Sequence, residues 1–414
     1  MIRYNRFTLE NGLRVLHHQD PDSTVSVLNI LYNVGARDED ASRTGFAHLF
    51  EHLMFGGSVH VPSYDQHVEN AGGSNNAFTN NDYTNYYITV PTENIETAFW
   101  LESDRMLQLA FSPKSLEVQR GVVIEEFRQR CFNAPFGQLW HHTRELLYKV
   151  HPYRWPTIGL DISHIEQATL EDVEAFYYKH YHPANAILCV AGNIELEETK
   201  RLCEKWFGSI SRTGEVNQNA YPTEPAQTEP RMALKNDLSP NPAVFKIWRG
   251  PGYNDPKSAR LEMFADMLGG SESSPMYIEL VKKDGSFNAA ECFYMRGADD
   301  GIFMVYGLLN EGVSHEEADQ KLGTLLQHYL QADAFKEREF EAVKNKIASH
   351  LLFEKTSLMN RAQKLCYFEW LGNAEGVNLE LAVYENNTLH DLIETAQTTL
   401  VPEKVSNLYY NPLS

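Results

Sequence analysis

The stretch His48-Leu49-Phe50-Glu51-His52 sets two imidazoles four residues apart with a carboxylate between them, a set that can hold a divalent metal and keep a proton acceptor beside it. On a helix at ~100° per residue these three side chains fall within one arc of about 100°. Phe46, Leu49, Phe50, Leu53 and Met54 occupy the opposite arc. One face can pack into a core while the other presents two ring nitrogens and a carboxylate to a cavity. The chemistry such a set performs is metal-assisted hydrolysis. With 16 histidines in 414 residues, chance supplies roughly 0.05 such pentapeptides in a chain of this length. Histidines four apart on a helix are also common as plain surface or core residues, so a third ligand decides the matter. Catalytic zinc takes three protein ligands and leaves a fourth position to water.

The third ligand has a candidate downstream, in the run from Ser112 to Phe127. Ser112 as N-cap and Pro113 at the first helical position announce a helix. On it Leu116, Val123, Ile124 and Phe127 form the apolar stripe, Glu126 stands at the edge of that stripe, and Glu125 points away. Glu126 is the better ligand candidate of the two, the alternative being that both lie on a solvated face. The adjacent pair His141-His142 is read as structural, because neighbouring side chains on a helix point about 100° apart.

The elements that must position these residues follow from pattern and punctuation. A chain of 414 residues exceeds what one core usually serves, so two domains are expected. Residues 212–241 hold Pro222, Pro225, Pro230, Pro240 and Pro242 close by, and are read as a linker between an N-terminal domain, 1–211, and a C-terminal domain, 242–414. Val25–Tyr32 and Ala186–Ala191 read as strands among amphipathic helices. After the linker the order restarts: Val244–Trp248 resembles the first strand, and Ser258–Gly270 resembles the metal-motif helix with its Gly56-Gly57 ending. Registering the Gly-Gly pairs places Leu261, Phe264 and Ala265 opposite His48, Glu51 and His52. The second half is thus expected to be a twin without a metal, in an α+β fold repeated twice.

Composition excludes several classes. The 36 Lys and Arg against 56 Asp and Glu, a formal charge of −20, argue against a nucleic-acid surface, which needs clustered cations. The same charge favours cationic peptides, or simply solubility. No apolar run of eighteen residues exists, so no membrane span is expected, and Met1–Arg6 lacks a signal-peptide apolar region. Cys131, Cys189, Cys203, Cys292 and Cys366 are scattered and odd in number, which suits a reducing compartment. A cytoplasmic location is the expectation.

The inverted order, H-x-x-E-H, together with Gln119-Arg120-Gly121-Val122-Val123-Ile124-Glu125-Glu126 and the stretch from Gly72 to Tyr87, resembles the pitrilysin and insulin-degrading-enzyme family of zinc peptidases, which includes the mitochondrial processing peptidase subunits. The resemblance runs from Phe7–Val15 to near Tyr409-Tyr410. It implies Zn2+ held by His48, His52 and Glu126, with Glu126 lying 74 residues after His52. Glu51 would be the general base that takes a proton from water and delivers it to the leaving amine. Asn76 and Ala77 would lie on an active-site edge strand that pairs with substrate backbone. It further implies two homologous α+β domains that form half of a clam-shell-like peptidase.

One departure bears on activity. Active relatives carry an Arg and a Tyr in the second half that grip substrate and stabilise the oxyanion. Here Pro275 and Asn288 stand at the matching places, with Arg296, Tyr277 and Tyr294 nearby. Losing such donors commonly costs on the order of 10²–10³ in rate. The resemblance therefore allows a zinc peptidase subunit working with a homologous partner that donates the pair, a self-sufficient homodimeric peptidase, or a non-catalytic core subunit. Intact His48, Glu51, His52 and Glu126 argue for the first two, and the partnered subunit is the primary expectation.

Overall fold

In the computed structural model, which describes residues 1–218 and 220–413, the chain runs β1 (Asn5–Thr8), β2 (Arg14–Gln19), β3 (Val25–Tyr32), α1 (Phe46–Leu53), α2 (Tyr64–Asn70), β4 (Ser74–Thr79), β5 (Thr84–Pro91), α3 (Ile95–Leu107), α4 (Pro113–Phe127), α5 (Leu139–Leu147), α6 (Ile162–Glu166), α7 (Leu170–His180), β6 (Ala186–Gly192) and α8 (Leu196–Phe207). It continues through β7 (Arg231–Asp237), β8 (Ala243–Pro251), α9 (Pro256–Gly269), β9 (Phe287–Arg296), β10 (Asp300–Leu309), α10 (His315–Tyr329), α11 (Glu337–Glu354), α12 (Leu358–Trp370), α13 (Gly376–Glu385), α14 (Leu389–Thr399) and β11 (Ser406–Pro412). The class is α+β with two mixed sheets. Their orders are β1-β2-β6-β3-β5-β4 and β7-β11-β8-β10-β9.

The second sheet repeats the first. Setting β7, β11, β8, β10 and β9 against β2, β6, β3, β5 and β4 reproduces every neighbour. It also reproduces every direction, with the β2–β6 and β7–β11 pairs parallel and the others antiparallel. Helix α1 falls between β3 and β4, and α9 between β8 and β9, so the twin inferred from the Gly-Gly register is a twin in topology.

Apolar strands at the centre of the first sheet dictate its layering. Ser26 to Tyr32 on β3 and all of β6 are buried, which requires cover on both faces. One face packs Leu28, Ile30, Tyr32, Tyr86 and Ile88 against Phe46, Leu49 and Phe50 of α1, Phe99 of α3 and Tyr177 of α7. The other face is covered by α12, whose buried Cys366 thiol lies 3.8 Å from the Asn29 carbonyl. Each fully buried side chain of this size contributes roughly 1.5–3 kcal/mol.

The chain forms two compact units, and neither is continuous. The first comprises Met1–Phe127, Trp155–Tyr221 and Leu352–Leu379, and the second Arg128–Arg154, Pro222–Leu351 and Glu380–Ser414. These bounds differ from the expected 1–211 and 242–414. Each sheet has a central strand too apolar to leave one face wet, and each takes its second covering helix from a distant part of the chain. The first sheet takes α12. The second takes α5, whose Leu146 and Leu147 pack with Phe245, Ile247 and Tyr410. The expected linker 212–241 is also not all connection, because it contains β7. That strand pairs in parallel with β11, the last strand of the chain, so nothing local in sequence reveals its partner.

Candidate metal centre

The first unit contains the whole of the candidate site. Helix α1 buries Phe46, Leu49, Phe50, Leu53 and Met54, all 5% exposed or less. Phe50 stacks on Phe176 of α7 at 5.0 Å between ring centroids. That seating turns the opposite face of α1 toward α4, which begins as expected: Pro113 is its first residue, and the Ser115 N–H donates to the Ser112 hydroxyl at 3.1 Å.

On the facing sides, donor atoms of His48, His52 and Glu126 lie within 4.8 Å of one another. The His48 Nε2 stands 3.5 Å and the His52 Nε2 3.3 Å from the Glu126 Oε2. The rings of His48 and His52 are 4.9 Å apart at 88°. In a tetrahedral zinc site with bonds of about 2.0–2.2 Å, adjacent donors stand about 3.4 Å apart. The two histidine-to-glutamate separations match that edge and exceed an ordinary hydrogen bond. Two imidazole nitrogens and a carboxylate oxygen are donor types zinc takes, so the residues fit the ion. Glu125 is exposed, whereas Glu126 is partly covered, as the edge of the apolar stripe required.

Glu51 shares the α1 face with the two histidines and is half-buried. Behind it, burial and then neighbouring charges, Glu51 among them, push the Tyr86 hydroxyl well up; burial likewise raises Tyr181. The Tyr86 hydroxyl donates to the Phe50 carbonyl at 3.4 Å. Strand β4 is the outer strand of its sheet, with Asn76 exposed and Ala77 half-buried over the core near α1. The Ala77 N–H is taken by the Oδ1 of Asn76 at 2.8 Å.

Sequence patterns did not reveal how α1 is closed at its start. Gly45, at φ +89°, occupies the cap position with no side-chain acceptor. The Glu39 carboxylate instead accepts from the Gly45 N–H at 2.9 Å and the Ala47 N–H at 2.8 Å. Burial pushes this carboxyl well above the usual range, against the N–H bonds that lower it. The signal available in sequence was an absence: Thr44-Gly45-Phe46 puts glycine where a polar cap is preferred, so a remote acceptor was needed.

In the second unit, Leu261, Phe264 and Ala265 are at most 1% exposed and offer no ligand. Pro275 is half-buried just ahead of a π-helical stretch, Tyr277–Asp284, and Asn288 is exposed on β9. Arg296 is committed to its own surroundings. It pairs with Glu262 at 3.1 Å, donates to the Tyr384 hydroxyl at 2.8 Å and lies 3.9 Å over the Tyr253 ring. Tyr294 is buried with its hydroxyl on the Pro251 carbonyl, and Tyr277 is half-buried beside Lys282. His142 donates to or accepts from the Tyr410 hydroxyl at 2.8 Å, in keeping with a structural role.

Comparison with known proteins shows the family. Residues 14–138 match the model described as Insulinase (Peptidase family M16), and residues 167–347 match the Peptidase M16 inactive domain. A relative named zinc protease PqqE from Helicobacter pylori is 30% identical over 337 residues, spanning 78% of this chain and 74% of that protein. The crystal structure of a protease from Helicobacter pylori superposes with a TM-score of 0.91 at 25% identity, covering 100% of both chains. The periplasmic protease PqqL from Escherichia coli shares the fold at a TM-score of 0.79 and 18% identity, with 99% of this chain matching 47% of that one.

Proposed function

Because the chain belongs to the insulinase family of M16 peptidases, we propose that it is a zinc-dependent endopeptidase subunit that cleaves peptides or unfolded segments and works with a homologous partner. The observation that carries the reading is the convergence of His48, His52 and Glu126 within 4.8 Å, with Glu51 on the same helix face. When bound, zinc would lower the pKa of a water and polarise the scissile carbonyl. The chain's own residues do the rest. Glu51 takes the proton from the attacking water and passes it to the leaving amine. The outer edge of β4 pairs with extended substrate backbone, a mode in which main-chain bonds carry much of the affinity and many sequences are accepted. On binding, a substrate carbonyl replaces the Asn76 side chain on the Ala77 N–H.

The need for a partner rests on Pro275 and Asn288. Proline has no side-chain donor, and asparagine is neutral and shorter than tyrosine. Arg296 already answers Glu262. Oxyanion donors must sit about 2.7–3.1 Å from the developing charge, and a second subunit carrying the Arg and Tyr would supply them. The match to less than half of the longer Escherichia coli protease supports a half-enzyme. Five buried cysteines, scattered and odd in number, support a reducing cytoplasmic location.

The test is metal analysis joined to peptide turnover. About one zinc per chain is expected, with slow cleavage of an unfolded peptide by this chain alone and faster cleavage on adding a homologous subunit that carries the Arg and Tyr. Full turnover without a partner would replace the half-enzyme with a homodimer. A chain that binds no zinc would end the peptidase reading.

A further inference from the structure

We propose that Glu39 is a positioning residue for the metal: its carboxylate clamps the first turn of α1 so that His48 and His52 converge on Glu126 before an ion arrives. This rests on the zinc reading above. The clamp is bidentate, one oxygen on the Gly45 N–H at 2.9 Å and the other on the Ala47 N–H at 2.8 Å. The first turn closes on the same residue, with the Leu49 N–H on the Gly45 carbonyl at 2.9 Å. His48 is the third residue of the helix and adjoins Ala47, so its backbone is fixed one residue from the clamp. Gly45 cannot be replaced by an ordinary capping residue. Its φ is +89°, and a Cβ there would meet the Ile158 carbonyl oxygen at 2.9 Å.

The twin helix shows that this topology does not need a buried acid. At the start of α9, the exposed Asp255 accepts locally from the Lys257 N–H at 2.9 Å, and Pro256 takes the first helical position. That cap keeps its charge in water. Glu39 is only 7% exposed, and taking a carboxylate out of water is costly even when it is hydrogen-bonded. The costly device appears on the helix that carries the imidazoles, and the cheap one on the helix that carries none. Groups that orient ligands from outside the coordination sphere commonly change metal affinity 10–100-fold when altered.

The experiment compares zinc affinity, by competition with a chromophoric chelator, and the visible spectrum of the cobalt-substituted protein for wild type, Glu39→Gln and Glu39→Asp. Glutamine keeps the shape but turns an NH2 toward one of the two N–H groups; aspartate keeps the charge but falls one methylene short. Both should weaken zinc on the order of 10–100-fold and shift the cobalt bands at saturating metal. A cap that served only folding would lower the melting temperature of the metal-free protein and leave the cobalt spectrum alone. Wild-type affinity with an unchanged spectrum in either folded variant overturns the proposal. Wild-type protein that binds no zinc would overturn the peptidase reading as well, so the two failures are distinguishable.

Discussion

Helices α1 and α9 occupy the same place in two copies of one topology, and they are spent differently. Helix α9 runs fourteen residues, and Leu261, Phe264 and Ala265 are all sealed in the core. Helix α1 runs eight, buries its apolar arc together with His48, and leaves Glu51 and His52 half-covered beside α4. The backbone arrangement is therefore not what makes a metal site. The candidate site joins a short helix that leaves two polar side chains half-covered to a second helix with a carboxylate at the edge of its own apolar stripe. The twin buries Leu261, Phe264 and Ala265 instead and starts on the exposed Asp255, so each helix is a natural control for the other.

The largest effect is expected from making α9 imitate α1. Phe264 lies 5.8 Å from the Phe335 ring and 6.2 Å from the Phe303 ring. Phe264→Glu removes a core ring, which alone costs about 3–5 kcal/mol, and leaves a charge in apolar surroundings. Loss of more than about 4 kcal/mol is expected, read by chemical denaturation or by failure to accumulate as soluble protein. A folded triple variant, Leu261→His, Phe264→Glu and Ala265→His, that held a second zinc would refute the claim that surroundings, not residue types, decide the site.

The reverse experiment on α1 is Glu51→Gln, which preserves shape and all three proposed ligand side chains. Zinc content should stay at the wild-type level while turnover falls by on the order of 10²–10⁴. Retained cleavage with retained metal would remove Glu51 from the mechanism.

The contrast between the helices also separates what was legible in sequence from what was not. The α1 face, the placement of Glu126 rather than Glu125 beside the two histidines, and the bounds of β3 and α4 were readable because periodicity and capping act locally. The twin was readable because two glycine pairs set a register. The unit boundaries were not, since the apolar faces of the central strands take cover from α12 and α5, far along the chain. Nor was β7, whose parallel partner is the last strand, or Glu39, whose carboxylate reaches ahead to the Gly45 and Ala47 N–H groups.

A smaller effect distinguishes two neighbours on α4. Glu126→Gln should weaken zinc on the order of 10²-fold, because it removes an anionic ligand, whereas Glu125→Gln, on the exposed side, should change affinity by less than about twofold. Equilibrium competition with a chelator measures both. The opposite order would move the third ligand by one residue and rotate the proposed site out from between the helices.

The smallest predicted effect tests the layer behind α1. His180 ends α7, its ring 4.6 Å from Phe176, which in turn stacks on Phe50. Its Nε2 is buried without a hydrogen-bond partner among the described residues. Burial, then the nearby Lys179 and His182 charges, hold its pKa down at about 3 against an ordinary 6.5. Between those values the unfolded chain binds a proton that the folded chain refuses, so this contribution is fully present above about pH 6.5 and is lost as pH falls toward 3. By pH 5 the loss should reach about 2 kcal/mol. Metal-free protein is the material to use, since the ligands also release metal in acid. His180→Leu keeps the backbone carbonyl that accepts from Asn185 and should flatten the stability profile between pH 7 and 5. In the second unit, the half-buried His142, held at about 4, should show a shallower dependence, because it is partly solvated and has the Tyr410 hydroxyl at hand. A wild-type profile already flat over this range, or one that His142→Leu flattens and His180→Leu does not, would show that the aromatic layer under α1 is not the acid-sensitive part of the molecule.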